Sequence, residues 1–165
     1  MHVIITGGAG FIGSQTAEAL LKRGDTVSVI DAFDYGYDPI HKEHNVHLLS
    51  QHDGFRLYRG DIRDRDLLRQ MFTDNPPDVV VHLAARAGVR PSLLEPDSYT
   101  DINITGTLRI METMREFDCD RLVFASSSSV YGSRTQGPFR ESDSVDIPAS
   151  PYAATKRSGE IICAN

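Results

Sequence analysis

The chain has 165 residues, 40% hydrophobic and 24% charged, with a formal net charge of −6. That length and balance suit one soluble domain with a genuine core. The acidic surplus argues against nucleic acid as the main partner, because phosphate backbones attract basic surfaces. No apolar run reaches the roughly 18 residues needed to cross a bilayer, and the N-terminus enters an apolar run at once, so neither a membrane span nor a secretory signal is expected.

In chain order, Val3 to Thr6 reads as a first buried strand and Phe11 to Arg23 as a helix with Ile12, Ala17, Ala19, Leu20 and Leu21 on its apolar side. Gly24-Asp25 ends that helix, just past a basic last turn. Thr26 to Ile30 is a second strand closing on Asp31, and residues 32–54 read as a long polar loop. Phe55 to Arg59 is a third strand, followed by Gly60-Asp61, and Asp64 to Phe72 is a short helix. Val79 to Ala84 is a fourth strand. A long helix is expected from about Pro96 to Phe117, and Leu122 to Ala125 is a fifth strand. Ser150-Pro151 opens a last helix, with serine as its N-cap and proline at its first position. Apolar strands that are continuous rather than alternating, separated by helices, imply a parallel sheet covered on both faces. The expected class is therefore α/β: a doubly wound, three-layer αβα sheet of the dinucleotide-binding type, with residues 1–165 as its single cofactor-binding domain.

Two segments carry chemistry. Gly7, Gly10 and Gly13 lie between the first strand and the first helix, where unpaired backbone N–H groups and the absence of side chains suit a pyrophosphate. Asp31, at the end of the second strand, is placed to hydrogen-bond a ribose 2′-hydroxyl and to repel a 2′-phosphate, which favours NAD over NADP. Tyr152 and Lys156 are four apart and share a helix face. A phenol with a pKa of about 10 is a poor base at neutral pH, and a neighbouring ammonium favours its ionised form. The histidines His41, His44, His47 and His52 crowd the expected 32–54 loop and read as solvated side chains, not as a metal site. Cys119 and Cys163 are too sparse for a disulfide scaffold and read as thiols of a reducing cytoplasm.

The ordered set Thr6-Gly7-Gly8-Ala9-Gly10-Phe11-Ile12-Gly13, Gly60-Asp61-Ile62, His82-Leu83-Ala84-Ala85, Asn103, Ser126 to Gly132 and Tyr152-Ala153-Ala154-Thr155-Lys156 resembles the extended short-chain dehydrogenase/reductases. Within them it looks most like the nucleotide-sugar 4-epimerases. The resemblance implies NAD as cofactor and assigns roles. Gly7, Gly10, Phe11, Ile12 and Gly13 match the pyrophosphate loop, Asp31 the adenosine ribose contact, and Asp61 and Ile62 the adenine contacts. Leu83, Ala84 and Ala85 match the strand end lining the cofactor, and Asn103 a helix asparagine near it. Tyr152 matches the general base, Lys156 the residue holding the nicotinamide ribose, and Ser127 the hydroxyl that shares the sugar proton. Family dehydratases carry an Asp-Glu pair where this chain has Ser128 and Ser129, which argues against dehydration.

The runs Ala85 to Ser92 and Asp34-Tyr35-Gly36-Tyr37-Asp38 look like UDP-glucuronate 4-epimerases. In that setting Arg90 faces an anionic substrate group; the alternative is a surface arginine at a helix start. The resemblance also implies a UDP-sugar substrate and a homodimer built through the 96–117 and 151–165 helices. Relatives continue past the tyrosine helix into a substrate lobe. The chain is therefore expected to be a truncated epimerase, weak or inactive alone. The alternatives are a non-catalytic dinucleotide-binding or dimerisation fragment, or another enzyme forming a 4-keto sugar, such as a dehydratase.

Overall fold

Alternate residues of each apolar strand point to opposite faces of the sheet, and both faces are covered. Val3, Ile5, Val27 and Val29 pack with Ala17, Leu21 and Leu49 on one side. Ile4, Ile30 and Val80 pack with Leu68, Met71, Phe72, Ile110 and Met114 on the other. A computed structural model describes residues 1–34, 38–134 and 137–164, so Tyr35-Gly36-Tyr37 of the run singled out above lie outside the described residues.

The described chain divides into two compact units. The first, 1–84 with 108–125, holds β1 (His2–Thr6), β2 (Thr26–Asp31), β3 (Phe55–Arg59), β4 (Val79–His82) and β5 (Leu122–Phe124). All four pairings are parallel, in the order β3-β2-β1-β4-β5. This is the expected Rossmann-like α/β sheet, with β3 and β5 at its edges. Its helices are α1 (Phe11–Arg23), α2 (Pro39–Leu49) and α3 (Arg65–Asp74), joined by α6 (Gly106–Glu116) from Leu108 on. Gly24 closes α1 at φ 93°, donating to the carbonyls of Leu20 and Leu21.

The expected 32–54 loop is corrected: its middle, Pro39–Leu49, is the helix α2. Asp38 caps the Ile40 N–H and Pro39 takes the first turn. The helix buries only Lys42, Val46 and Leu49, too few apolar residues to show a periodic face. His41, His44 and His47 therefore lie on an exposed helix rather than a loop. Among the described residues no group of three or more His, Cys, Asp or Glu could hold a metal ion.

The second unit, 85–107 with the described residues from 126, is mostly helical. It holds α4 (Val89–Leu94), at whose start Arg90 lies as the alternative reading of that residue had it, and α5 (Pro96–Thr100). A π turn (Asp101–Thr105), the start of α6, a 3-10 turn (Ser128–Tyr131) and α7 (Pro151–Cys163) complete it. The single helix expected from Pro96 is one helical stretch interrupted by that π turn and ending at Glu116. Ser150 caps α7 as expected, its hydroxyl oxygen accepting the Ala153 N–H at 3.1 Å. Pairing of the fourth and fifth strands stops at His82 and Phe124, short of Ala84 and Ala125. No helix of the described residues is long and apolar enough to cross a membrane.

Candidate functional site

In the first unit β1 runs directly into the glycine loop. Thr6 Oγ1 hydrogen-bonds with His82 Nδ1 at 2.6 Å and accepts the Ala84 N–H at 3.0 Å, tying the ends of β1 and β4 together. Gly7 sits at φ 68°, and a Cβ there would stand 2.9 Å from the Ala84 backbone. At Gly13 a Cβ would lie 2.4 Å from the Gly7 carbonyl oxygen. The N-terminus of α1 has no side-chain cap and no acid in its first turn, while Phe11 and Ile12 are exposed beside it. Uncapped N–H groups, a positive helix end and a backbone stripped of side chains form a cradle for an anion.

Asp31 is only 5% exposed. Its Oδ2 accepts the Ala9 N–H at 3.2 Å, and its Oδ1 accepts the Phe33 N–H at 2.9 Å and the Lys42 ammonium at 2.8 Å. Lys42 is 6% exposed and also reaches Asp34 at 3.4 Å. Asn45, three residues on along α2, donates to the Ala9 carbonyl at 2.9 Å. The sequence reading missed Lys42 and Asn45 because it missed their helix; the Asp38-Pro39 cap was the available signal. Arg63 grips Asp61 by its backbone N–H and Nε on Oδ1, both at 2.8 Å, and by Nη2 on Oδ2 at 2.6 Å. The Arg63 guanidinium holds the Asp61 carboxyl below the usual carboxylate range. Ile62 points into the core beside Ile4 and Met71, so only its backbone is left for a ligand. Leu83 and Ala84 are half-buried at the end of β4.

In the second unit the π turn sets Asn103, which is buried, among three partners. Its Oδ1 accepts the Arg86 N–H at 2.7 Å. Its Nδ2 donates to the Arg86 carbonyl and to Thr155 Oγ1, both at 3.0 Å. Thr155 in turn donates to the Tyr152 carbonyl at 2.8 Å. Asn103 thus joins the 85–88 segment to the helix of Tyr152 and Lys156.

Tyr152 is half-buried and meets the buried ring of Tyr99 edge-on, with centroids 6.1 Å apart. Tyr99 is itself anchored by its hydroxyl on the Ala87 carbonyl at 2.7 Å. Lys156, one turn beyond Tyr152, is 4% exposed, and burial pushes its ammonium pKa down to about 8. Ser127 Oγ accepts the Ser129 N–H at 3.2 Å, leaving its own hydrogen to donate. Ala85 is half-buried, and Arg90 is exposed in the first turn of α4. An ionisable phenol, a buried ammonium and an oriented hydroxyl are the parts of a proton-transfer site.

Residues 4–165 match the family model described as GDP-mannose 4,6 dehydratase. A UDP-glucuronate 4-epimerase of Thermodesulfobacterium geofontis (strain OPF15) is 43% identical over 161 residues, 98% of this chain and 50% of its own length. Protein CapI of Staphylococcus aureus is 43% identical over 98% of this chain and 48% of its own. Among solved structures, the UDP-glucuronic acid 4-epimerase of Bacillus cereus, in complex with UDP-glucuronic acid and NAD, superposes with a TM-score of 0.89 at 38% identity. The match covers 99% of this chain and 51% of that one. A UDP-glucose 4-epimerase from Bifidobacterium longum with NAD+ and UDP gives 0.89 at 32% identity, over 99% and 48%. The chain thus spans about half the length of these relatives.

Proposed function

Because this chain belongs to the GDP-mannose 4,6-dehydratase family, we propose that it carries the cofactor-binding and proton-transfer parts of an NAD-dependent UDP-sugar 4-epimerase, of the UDP-glucuronate or UDP-glucose type. The observation that carries the reading is the α7 pair: Tyr152 with a buried Lys156 one turn on, its ammonium down to about 8. The relatives named for 4-epimerisation support it, as do the neighbours crystallised with NAD.

The first unit fits a dinucleotide. The α1 N-terminus and the Gly7, Gly10 and Gly13 cradle would hold the pyrophosphate, beside Phe11 and Ile12. Asp31 would take the adenosine ribose, Asp61 and the Ile62 backbone the adenine, and Leu83 and Ala84 would line the cofactor; Ala85, the first residue of the second unit, is given the same role by the family resemblance alone. NAD, when bound, supplies the acceptor and donor of the hydride at the sugar's C4. The protein's own work is the proton. Tyr152 Oη, as phenolate, takes the proton of the 4-hydroxyl through Ser127 Oγ and returns it after the 4-keto sugar has turned over. Lys156 favours the phenolate by its charge and would hold the nicotinamide ribose. Asn103 serves by fixing the segments around them. Ser128 and Ser129 supply no acid or base for dehydration.

We assign no sugar-binding lobe to these 165 residues and expect the 165-residue chain alone to turn over weakly. Residues 96–117 and α7 would pair two subunits; Leu108 and Ile161 are exposed on them. The free thiols Cys119 and Cys163 favour the cytoplasm. The test is conversion of UDP-glucuronate and UDP-glucose to their 4-epimers by the full-length protein, with nucleotide release after denaturation. We expect about one NAD per chain, and Tyr152→Phe to lower kcat by about 10³-fold with NAD retained. A Tyr152→Phe protein within tenfold of wild type would refute the assigned base.

A further inference from the structure

We propose that Glu160 is a positioning residue that fixes the Ser127 hydroxyl relative to the helix face carrying Tyr152 and Lys156. The inference rests on the roles proposed above for Ser127 and Tyr152. Tyr152, Lys156 and Glu160 follow one another at four-residue intervals on α7, so they rise along one face of that helix. Glu160 is half-buried and spends both carboxylate oxygens within the second unit. Oε1 accepts the Ser126 hydroxyl, and Oε2 takes Arg157 Nη1 at 2.9 Å. Ser126 immediately precedes Ser127, whose Oγ accepts the Ser129 N–H and starts the 3-10 turn.

The serine segment is thus held at two successive residues. Ser126 is tied to α7, and Ser127 is tied to its own turn. The first tie has a carboxylate as its acceptor, the stronger class of acceptor. It is also the one that reaches the tyrosine's helix. Arg157 offsets the carboxylate's charge, so the tie puts little net negative charge on the helix whose phenol must ionise. A proton relay depends on its partners being held within about half an ångström. Loss of the tie is therefore expected to lower the chemical step more than substrate binding.

The experiment uses full-length protein with its bound cofactor and compares wild type, Glu160→Ala, Glu160→Gln, Ser126→Ala and the double Ser126→Ala/Glu160→Ala variant. Glu160→Ala and Ser126→Ala should each lower kcat about tenfold, with KM for the UDP-sugar changed by less than about twofold. The double variant should be no worse than either single one, because the two side chains act as a unit. Glu160→Gln keeps an oxygen for the Ser126 hydroxyl and should recover most of kcat.

Amide hydrogen exchange supplies a readout that needs no substrate. The Ser129 N–H should exchange about tenfold faster in Glu160→Ala but not in Glu160→Gln, with α1 unchanged in both. Unchanged Ser129 exchange in Glu160→Ala, or additive losses in the double variant, would overturn the assignment. A wild-type protein inert toward every UDP-sugar would refute the epimerase reading instead, and the exchange result would still decide the role of Glu160.

Discussion

The glycine-loop unit and the serine–tyrosine unit solve opposite problems. In the first, the working groups are backbone N–H groups, and the side chains are notable for being missing; what matters is that backbone packs against backbone at Gly7 and Gly13, where a Cβ would stand 2.9 Å and 2.4 Å from its neighbours. In the second, the working groups are side chains, each held by partners remote in sequence: Asn103 by Thr155, Ser126 by Glu160. A backbone site fails by crowding, whereas a side-chain site fails by losing its supports one at a time. The two should therefore respond differently to substitution and to pH.

The largest effect expected in the first unit comes from Gly13→Ala. The added methyl would stand 2.4 Å from the Gly7 carbonyl oxygen, so the loop must open. We expect no NAD to copurify, with a stability loss of about 2–4 kcal/mol by chemical denaturation. Retention of NAD at wild-type level would show that the cradle is not the pyrophosphate site.

Next in size is Lys42→Met, which leaves the Asp31 carboxylate buried without its ammonium. Breaking such a pair costs about 3 kcal/mol. The double replacement Asp31→Asn/Lys42→Met removes the unpaired charge and keeps an oxygen for one of the Ala9 and Phe33 N–H groups, so it should recover part of that stability in a urea melt but little of the NAD affinity.

In the second unit Asn103→Ala removes three hydrogen bonds, and about 2 kcal/mol of stability should go with them. NAD affinity should fall less than in Gly13→Ala, which isothermal titration would check.

The smallest effect, and the sharpest division between the units, is in pH. Burial pushes the Lys156 ammonium down to about 8 from the ordinary lysine value of 10.5. The ammonium therefore loses its proton above that pH, and the helix face that carries Tyr152 loses the positive charge one turn on. Turnover should fall up to tenfold per pH unit above about 8, while NAD stays bound between about pH 7 and 9. The same depressed pKa makes the folded chain bind fewer protons than the unfolded one between about 8 and 10.5, so this group's contribution to stability rises with pH there. Lys156→Arg, which keeps its charge, should move the alkaline limb upward.

Legibility in the sequence followed the same division. The strands, α1 and its glycine spacing could be read because burial on two faces writes continuous apolar runs and a strand-to-helix turn needs glycine. Ser150-Pro151 marked α7 for an equally local reason. By contrast, α2 was hidden: its buried positions include a lysine, and its exposed ones include the apolar Ile40 and Leu48 beside three histidines. The π turn shifts hydrogen bonds without altering the apolar spacing around Tyr99 and Ile102, so the 96–117 stretch looked uninterrupted. The polar partners of Asp31, Asn103 and Ser126 were unreadable because folding, not sequence proximity, brings them together. The family motifs named the candidate residues of the site but not the side chains that hold them.

Ala9 is gripped on both sides, its N–H by Asp31 and its carbonyl by Asn45. Expressed in time rather than distance, a loop already fixed in this way has little ordering left to lose when a ligand arrives, and the saving appears chiefly as slower departure. For the proposed epimerase, which hands back every hydride it takes, a cofactor that outlasts many turnovers needs no second enzyme to recharge it.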